Sequence, residues 1–446
     1  CDIFIFWCRP IFIMTVFLTL SLVIVASART SPINTNHRFG TLDATIKWLY
    51  DNKTEFATSG NDVLKVMHIT DSHIDIGDAI PGHTTRMHSA FVQTQSHERS
   101  SATTPKEEFV HLLAKARAEN VDLIALGGDI INFPDSGTVS WVVELLQRGG
   151  IPWIYTAGNH DWHEEGAYEE AYDAGRKKHI DTTLSPLFAQ SAINMEYCKG
   201  FGAGCGALYG RATLKGVDLL FFDNSNYQID HEQLDFARAH LDEASDAPTL
   251  VLLHMPLKLP GVRLDPNYVC GDPTWGLTSD RSYGIEQRLP WPASGNLPST
   301  QKFIELVQEH AAPNGQILAL MTGHVHKDFS AELLERLGSA HPGSPSLADR
   351  ARHRSQIAKL TTLACNETLP DCTLPRRSHP MLELIERHSD KESVSSFGFL
   401  DGNNNQIQAT GALQYTTLDA AEGGYRIFTI RQRVGDGMEG LISRHS

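Results

Sequence analysis

Cysteine is scarce in this sequence. There are seven in 446 residues, and no two form a CxxC pair. The missing CxxC disfavours a cysteine-ligated zinc site. Positive charge is also in deficit. Lys and Arg total 38 against 53 Asp and Glu, a formal net charge of −15. That balance argues against nucleic acid as the main partner, because phosphate backbones attract basic faces. It leaves a small phosphorylated substrate open, since bound metal ions invert the local charge. No internal repeat is present. What remains is ordinary globular composition, 41% hydrophobic and 20% charged, enough for one large domain or two smaller ones.

Basic residues are sparse at the start as well, where Arg9 alone precedes an apolar stretch. The chain opens on Cys1, and Met14 begins "MTVFLTLSLVIVASART", an apolar core followed by small residues. Ala26-Ser27-Ala28 has the A-x-A form of a signal-peptidase site. Residues 1–28 are therefore expected to be a signal peptide initiated at Met14, with the protein secreted or held in the secretory-pathway lumen. A membrane is a partner only if this segment is retained, since the run from Ile11 to Ala26 approaches spanning length. Beyond Ala28, Cys198/Cys205 and Cys365/Cys372 are close enough in sequence for small disulfide loops in an oxidising compartment, leaving Cys270 over. Asn52-Lys53-Thr54 and Asn366-Glu367-Thr368 are N-glycosylation sequons.

Residues 29–61 form a polar lead-in. Strand and helix patterns then alternate: "DVLKVMHI", a long polar loop, "PKEEFVHLLAKARAEN" with a Pro start, early acids and late bases, "VDLIALGGD", "SWVVELLQRG", "IPWIYTAGNH". This β-α-β-α-β rhythm predicts an α/β fold. Strands are expected again at "GALYGRATL", "VDLLFFDNS", "TLVLLHMP" and "QILALMTGHVH", with helices at "EEGAYEEAYDAGRKKH", "DHEQLDFARAHLDEA" and "STQKFIELVQEHA". Residues 257–300 read as an irregular loop rich in Gly, Pro, Trp and Tyr. The tail carries strand-like runs at "PMLELIER", "SVSSFGFL" and "YRIFTIRQRV", so residues 62–446 are taken as one catalytic domain whose last hundred residues complete the sheets.

Five of the apolar strands end in metal-binding residue types. Asp71 and His73 follow "VMHIT", Asp129 follows "LIALGG", and Asn159 and His160 follow "IYTAG". His254 follows "LVLL", and His324 and His326 follow "ALMTG". In an open α/β sheet ligands bind beyond the carboxyl ends of the strands, so these loops can converge. Singly each signal is weak. An Asp-x-His is expected about once in a chain this rich in both residues, Asp129 alone could cap a helix, and "GNHD" alone could be a turn. His68 and His111 fit no pattern and read as core or surface histidines. Five motifs in order, each closing an apolar strand, are hard to reconcile with purely structural roles.

In that order, "DSH", "GGD", "GNHD", "LLHMP" and "GHVH" resemble the calcineurin-like metallophosphoesterases, whose pattern is DxH, GD, GNH[DE], H, GHxH. The resemblance covers roughly residues 62–330. It implies two packed mixed β-sheets flanked by helices, a four-layer αββα sandwich, and two bound metal ions. Asp71, His73 and His326 would hold one metal, Asn159, His254 and His324 the other, with Asp129 bridging. His160 would stay off the metals and act on the substrate. Mixed imidazole and carboxylate ligands suit Fe, Mn or Zn better than Ca or Mg. A bridging carboxylate can hold two such cations about 3.5–4 Å apart, where they neutralise a phosphoryl group and acidify a bridging water. A proton donor or acceptor is then needed near the leaving oxygen, and His160 is the candidate. Gly158 would permit the sharp exit from the strand.

The chain also departs from parts of the family. Its protein phosphatases carry a second Asp three residues after the GD aspartate to orient the catalytic His; Asn132 stands there, and Asp161 is an alternative partner for His160. Purple acid phosphatases have DxG and a tyrosine where this chain has His73 and Asn132, which excludes an iron-tyrosinate site. "DSHID" and "GHVHKDF" match acid-sphingomyelinase-like phosphodiesterases, whereas "DNSNYQIDHEQLDF" looks more like the cyclic-nucleotide phosphodiesterase branch. A phosphodiesterase is therefore the leading expectation. A phosphomonoesterase of the same fold is the alternative, and an inactive secreted metal-binding homologue is the reading from outside enzymology.

Overall fold

A computed structural model describes residues 62–76, 103–163, 170–188, 194–197, 208–244, 247–259, 264, 269–272, 296–311, 316–326, 329–332, 382–388, 391–397, 413–417, 420–422 and 424–432. The expected signal peptide, the lead-in, both sequons and Cys198, Cys205, Cys365 and Cys372 lie outside these residues. No described helix is long and apolar enough to cross a membrane.

The first half follows the apolar runs. Strand β1 (Asp62–Ile69) is buried from Leu64 onward except for half-buried Lys65. Helix α1 (Pro105–Ala118) starts where Thr104 and Glu107 cap one another: Glu107 donates its backbone N–H to Thr104 Oγ1 at 3.3 Å, and Thr104 N–H reaches Glu107 Oε2 at 2.8 Å. Strand β2 (Leu123–Leu126) is wholly buried. Helix α2 (Ser136–Gly149) is capped by Asp135, which accepts from Thr138 N at 2.7 Å. It stops at Gly150, whose φ of 70° is open to glycine at little cost. Strand β3 (Trp153–Tyr155) leads into the short helix α3 (Asn159–Trp162).

Helices α4 (Glu170–Asp181) and α5 (Ser185–Phe188) follow, then strands β4 (Asn194–Tyr197), β5 (Tyr209–Leu214) and β6 (Val217–Phe222). The helix expected over "DHEQLDFARAHLDEA" is in fact two pieces, α6 (His231–Arg238) and a π-helical stretch, Ala239–Ala244. Strand β7 (Thr249–Leu252), helix α7 (Pro298–His310) and strand β8 (Ile317–Thr322) complete the motif-bearing region. Five strands come after it: β9 (Phe329–Glu332), β10 (Leu382–His388), β11 (Lys391–Phe397), β12 (Leu413–Thr416) and β13 (Arg426–Gln432).

The described strands make two mixed sheets, one ordered β11-β10-β13-β1-β2-β3 and the other β4-β5-β6-β7-β8-β12-β9. Within the first, β1, β2 and β3 are parallel neighbours. Within the second, β6, β7, β8 and β12 are parallel neighbours. One hydrophobic core takes side chains from both sheets. Tyr415 of β12 meets Phe428 of β13 with ring centroids 5.2 Å apart, and Thr156 Oγ1, just past β3, donates to the carbonyl of Phe222 in β6 at 3.0 Å. The fold is thus α/β, with two packed mixed sheets and flanking helices. The carboxyl ends of β1–β3 and of β7–β8 open onto the same place.

Candidate metal centre

Asp71 sits fully buried two residues beyond the end of β1. Its Oδ2 accepts from Thr70 Oγ1 and from the backbone N–H of His324, both at 2.8 Å. Its Oδ1 has no hydrogen-bond donor. That oxygen faces His326 Nε2 at 3.4 Å and His73 Nε2 at 4.0 Å, while the two imidazole nitrogens are 3.2 Å apart. An orphaned buried carboxylate oxygen costs about 1–3 kcal/mol unless something meets it. A cation among Asp71, His73 and His326 is what this donor set fits.

Asp129 divides its two oxygens. Oδ1 accepts the backbone N–H of His160 at 2.7 Å. Oδ2 faces both sides of the site, 3.3 Å from His254 Nε2 and 4.0 Å from His73 Nε2. His254 Nε2 also lies 3.2 Å from Asn159 Oδ1, and His324 joins Asp129 and His254 in a second group whose ligand atoms all lie within 4.8 Å of one another. His254 Nδ1 is 2.8 Å from the carbonyl of Gly127. Only a protonated Nδ1 can donate there, so Nε2 is the nitrogen left to offer a lone pair to a metal. The structure therefore brings together all eight residues singled out in the sequence. His160 also falls in a close trio with His73 and Asp129.

Electrostatics follow from this crowding. Burial raises the Asp71 carboxyl, only partly offset by His326 and His254. Burial would raise Asp129 too, but His254, His160 and His73 outweigh it and hold it well below the usual carboxylate range. Burial works to lower His254, and Asp129 overcomes it, pushing the imidazole up to about 10. Asp129 thus holds a proton on the His254 ring, which a bound cation would displace.

Backbone strain marks the same residues. Among the described non-glycine residues, eight have positive φ, and five are Asp71, His73, Asp129, His324 and His326, between 46° and 69°. Such conformations cost about 1–3 kcal/mol each and persist where the surroundings over-determine them. Gly158 has a different role from the one its sequence context predicts. Its φ is −101°, open to any residue, and no sharp exit depends on it. A Cβ there would lie 2.2 Å from both Asp129 N and Asp129 Oδ1, so the glycine is needed for close approach.

His160 finds its partner in Asn132, whose Oδ1 is 3.2 Å from His160 Nδ1. Asp161 does not serve. It is buried and accepts from Gly158 N at 2.7 Å, Tyr155 OH at 2.8 Å and Ile131 N at 2.9 Å, tying the GNHD turn to β3 and to the segment after Asp129. Burial, followed by the charge of Asp129, raises its carboxyl to about 7. His68 is a core histidine: it pairs with Thr417 Oγ1 at 2.8 Å, and burial lowers it to about 3. His111 is mostly buried on α1, 4.0 Å from Glu108. Cys270 is buried and free, and burial pushes its thiol up to about 12.

Sequence reasoning missed the groups that stand behind the ligands. Asn224, Ser225 and Tyr227 follow β6, a strand end with no metal-binding residue type beyond Asp223. Position was a signal, since the segment closes a sixth buried strand beside the other five, and "DNSNYQIDHEQLDF" otherwise carries only its family likeness.

The sequence model of the calcineurin-like phosphoesterase family matches residues 64–328. No curated protein matches the chain. Among solved structures, the chain is similar to a dimetal phosphatase from Danio rerio, with 10% sequence identity, 84% of this chain and 98% of that chain covered, and a TM-score of 0.38.

Proposed function

The chain belongs to the calcineurin-like phosphoesterase family, and from that premise we propose that it is a secretory-pathway phosphodiesterase acting with two transition-metal ions. It is a metal-dependent phosphoester hydrolase. The observation that supports the two-metal part of this reading is the convergence of eight side chains from five strand ends, with Asp129 Oδ2 within 4.0 Å of a histidine on either side.

Asp71, His73 and His326 would hold one cation, Asn159, His254 and His324 the other, and Asp129 would serve both. When bound, the ions supply charge neutralisation for the phosphoryl group and a lowered water pKa. The protein's own contribution is orientation and proton handling. Asn132 accepts from His160 Nδ1, which orients this half-buried ring, and Nε2 is the nitrogen we assign to the substrate. From there His160 can hold or deliver a proton at the leaving oxygen.

Preference for a diester rests on what surrounds the second ester arm. A monoester dianion calls for extra cationic groups, usually Arg, beside the metals. No Arg lies within three residues of any proposed ligand. A diester instead wants apolar surface. Tyr268, Trp275, Tyr283 and Trp291, outside the described residues, fall in the 257–300 stretch that follows His254 and reads from its sequence as an irregular loop. The start of that loop is fixed there by Cys270, whose N–H reaches the carbonyl of Pro256 and whose carbonyl accepts Lys258 N–H, both at 2.8 Å. Residues 62–446 form the catalytic domain in this reading, and 1–28 is removed on export. Disulfides and glycans at Asn52 and Asn366 accompany that route.

The purified secreted protein should begin at Arg29 on N-terminal sequencing, carry close to two transition-metal ions, and show a higher kcat/KM on a bis-aryl than on a mono-aryl phosphate. A clear monoester preference at equal metal loading would overturn the diester reading. If the diester is preferred, shortening the 257–300 loop should erase that preference and spare the metals.

A further inference from the structure

The loop after β6 carries none of the proposed ligands, yet it touches the supports of three of them. Asn224 is fully buried and holds the turn that bears His254. Its Oδ1 accepts from the backbone N–H of His254 at 3.1 Å and of Met255 at 2.9 Å, and its Nδ2 donates to the carbonyl of Met255 at 2.8 Å. Ser225 Oγ accepts from Trp162 Nε1 at 2.8 Å, and Trp162 ends the short helix that begins at Asn159. Tyr227 lies edge-on to His324, with ring centroids 5.9 Å apart. Its φ of 67° is an outlier for a bulky side chain, and its N–H is pinned to the carbonyl of Asn224 at 2.8 Å.

The loop is itself anchored on two sides. Asp223 Oδ1 accepts from Ser225 N at 2.8 Å, while its Oδ2 takes the buried guanidinium of Arg176, from α4, at 2.8 Å. Gln233 Nε2, from α6, donates to the carbonyl of Asp223 at 2.7 Å. None of these contacts reaches Asp71, His73 or His326.

We infer that the Asp223–Tyr227 loop is a positioning element for one metal alone, with Asn224 and Ser225 setting the geometry of the site made by Asn159, His254 and His324. This rests on the two-metal reading above. Asn224 fixes the backbone of His254 while Gly127 fixes its ring, so the ligand is held at both ends. Ser225 does the same work on the Asn159 side through Trp162. Ligand placement of this kind governs affinity, because removing a group behind a metal ligand typically weakens binding about 10–100-fold.

The test is titration of the chelator-stripped full chain with Co²⁺, reading stoichiometry, both affinities and the ligand-field spectrum, with thermal unfolding of the metal-free protein alongside. Wild type should take two ions. Asn224→Ala should keep one ion at wild-type affinity and bind the other about 10–100-fold more weakly. Asn224→Asp, which keeps an acceptor for both N–H groups, should weaken it less. Ser225→Ala removes a single hydroxyl and is the variant to use if Asn224→Ala does not fold; it too should weaken one ion selectively. The inference is overturned if these variants bind both ions as wild type does, or if both affinities fall together with the stability of the metal-free protein. A wild-type chain that takes up no ion would instead overturn the two-metal reading and this inference with it.

Discussion

Asp129 has two oxygens and uses them for different tasks. Oδ1 holds the His160 backbone and Oδ2 looks toward both metal groups. His160 has the complementary position, since its main chain is tied to Asp129 and its ring to Asn132. The two residues should therefore fail differently. His160→Ala should retain both metals and lose roughly 10²–10⁴-fold in kcat, the usual range for a lost acid–base group. Asn in place of Asp129 removes a charge that both proposed ions would share and should reduce metal content as well as rate. Metal analysis beside steady-state kinetics separates the two, and a fully active His160→Ala protein would remove the residue from the chemistry. At this scale the ligand types were legible because they stand at the ends of apolar strands. Partnership was less so. Nothing in "GNHDWH" says that Asp161 is consumed by Gly158, Tyr155 and Ile131, or that Asn132 takes over His160. The bonds between Asp161 and Ile131 and between His160 and Asn132 join segments 30 and 28 residues apart and exist only in the folded turn.

Strand ends can converge only where the backbone lets them pass. The exit of β8 crosses the exit of β1 so closely that a Cβ on Gly323 would lie 2.0 Å from Thr70 Oγ1 and 2.3 Å from Asp71 Oδ2. Both atoms are committed, because Thr70 Oγ1 donates to Asp71 Oδ2. Gly323→Ala should consequently destabilise the protein by about 1–3 kcal/mol, the cost of overpacking, and displace Asp71 from its metal group. Gly175, within α4, has nothing within 4 Å of such a Cβ. Alanine there should stabilise by about 0.5–1 kcal/mol through helix propensity. Urea unfolding of the pair should show opposite signs, and a neutral Gly323→Ala would contradict the close crossing. The elements themselves were legible where they are long and apolar. Strand β12 was not, for a physical reason. Its Gln414 is fully buried, which the sequence pattern reads as exposed, but its side chain closes a pair of bonds with Leu257, accepting N–H at 2.8 Å and donating to the carbonyl at 3.3 Å. A polar residue satisfied across 157 positions leaves no local trace.

The matched family region ends at residue 328, yet the molecule does not. Strand β13 pairs along β1 from Asp62↔Arg431 to His68↔Arg426, in the interior of the first sheet. Strand β12 lies between β8 and β9 in the second. The turn between them reaches the metal centre itself: Ala420 N–H donates to the carbonyl of Thr70 at 2.8 Å, Ala421 N–H to that of Asp71 at 3.3 Å, and Thr417 N–H to that of Thr322 at 3.0 Å. The loops bearing Asp71 and His324 are thus held from behind by residues far downstream. Cutting the chain after Glu332 would strip both sheets of an interior strand. Each buried backbone group left unpaired costs about 1–3 kcal/mol. A few such losses match the whole stability of a typical domain, about 5–15 kcal/mol. Hydrophobic surface on β1 and β8 would be bared as well. The truncated chain should therefore lack a cooperative urea transition and bind no metal stoichiometrically, although it retains every proposed ligand and His160. Circular dichroism through a urea series, with metal analysis of the same sample, decides the matter. A truncated protein that unfolds cooperatively and carries two ions would show that residues 62–332 suffice, and that the domain need not extend to 446.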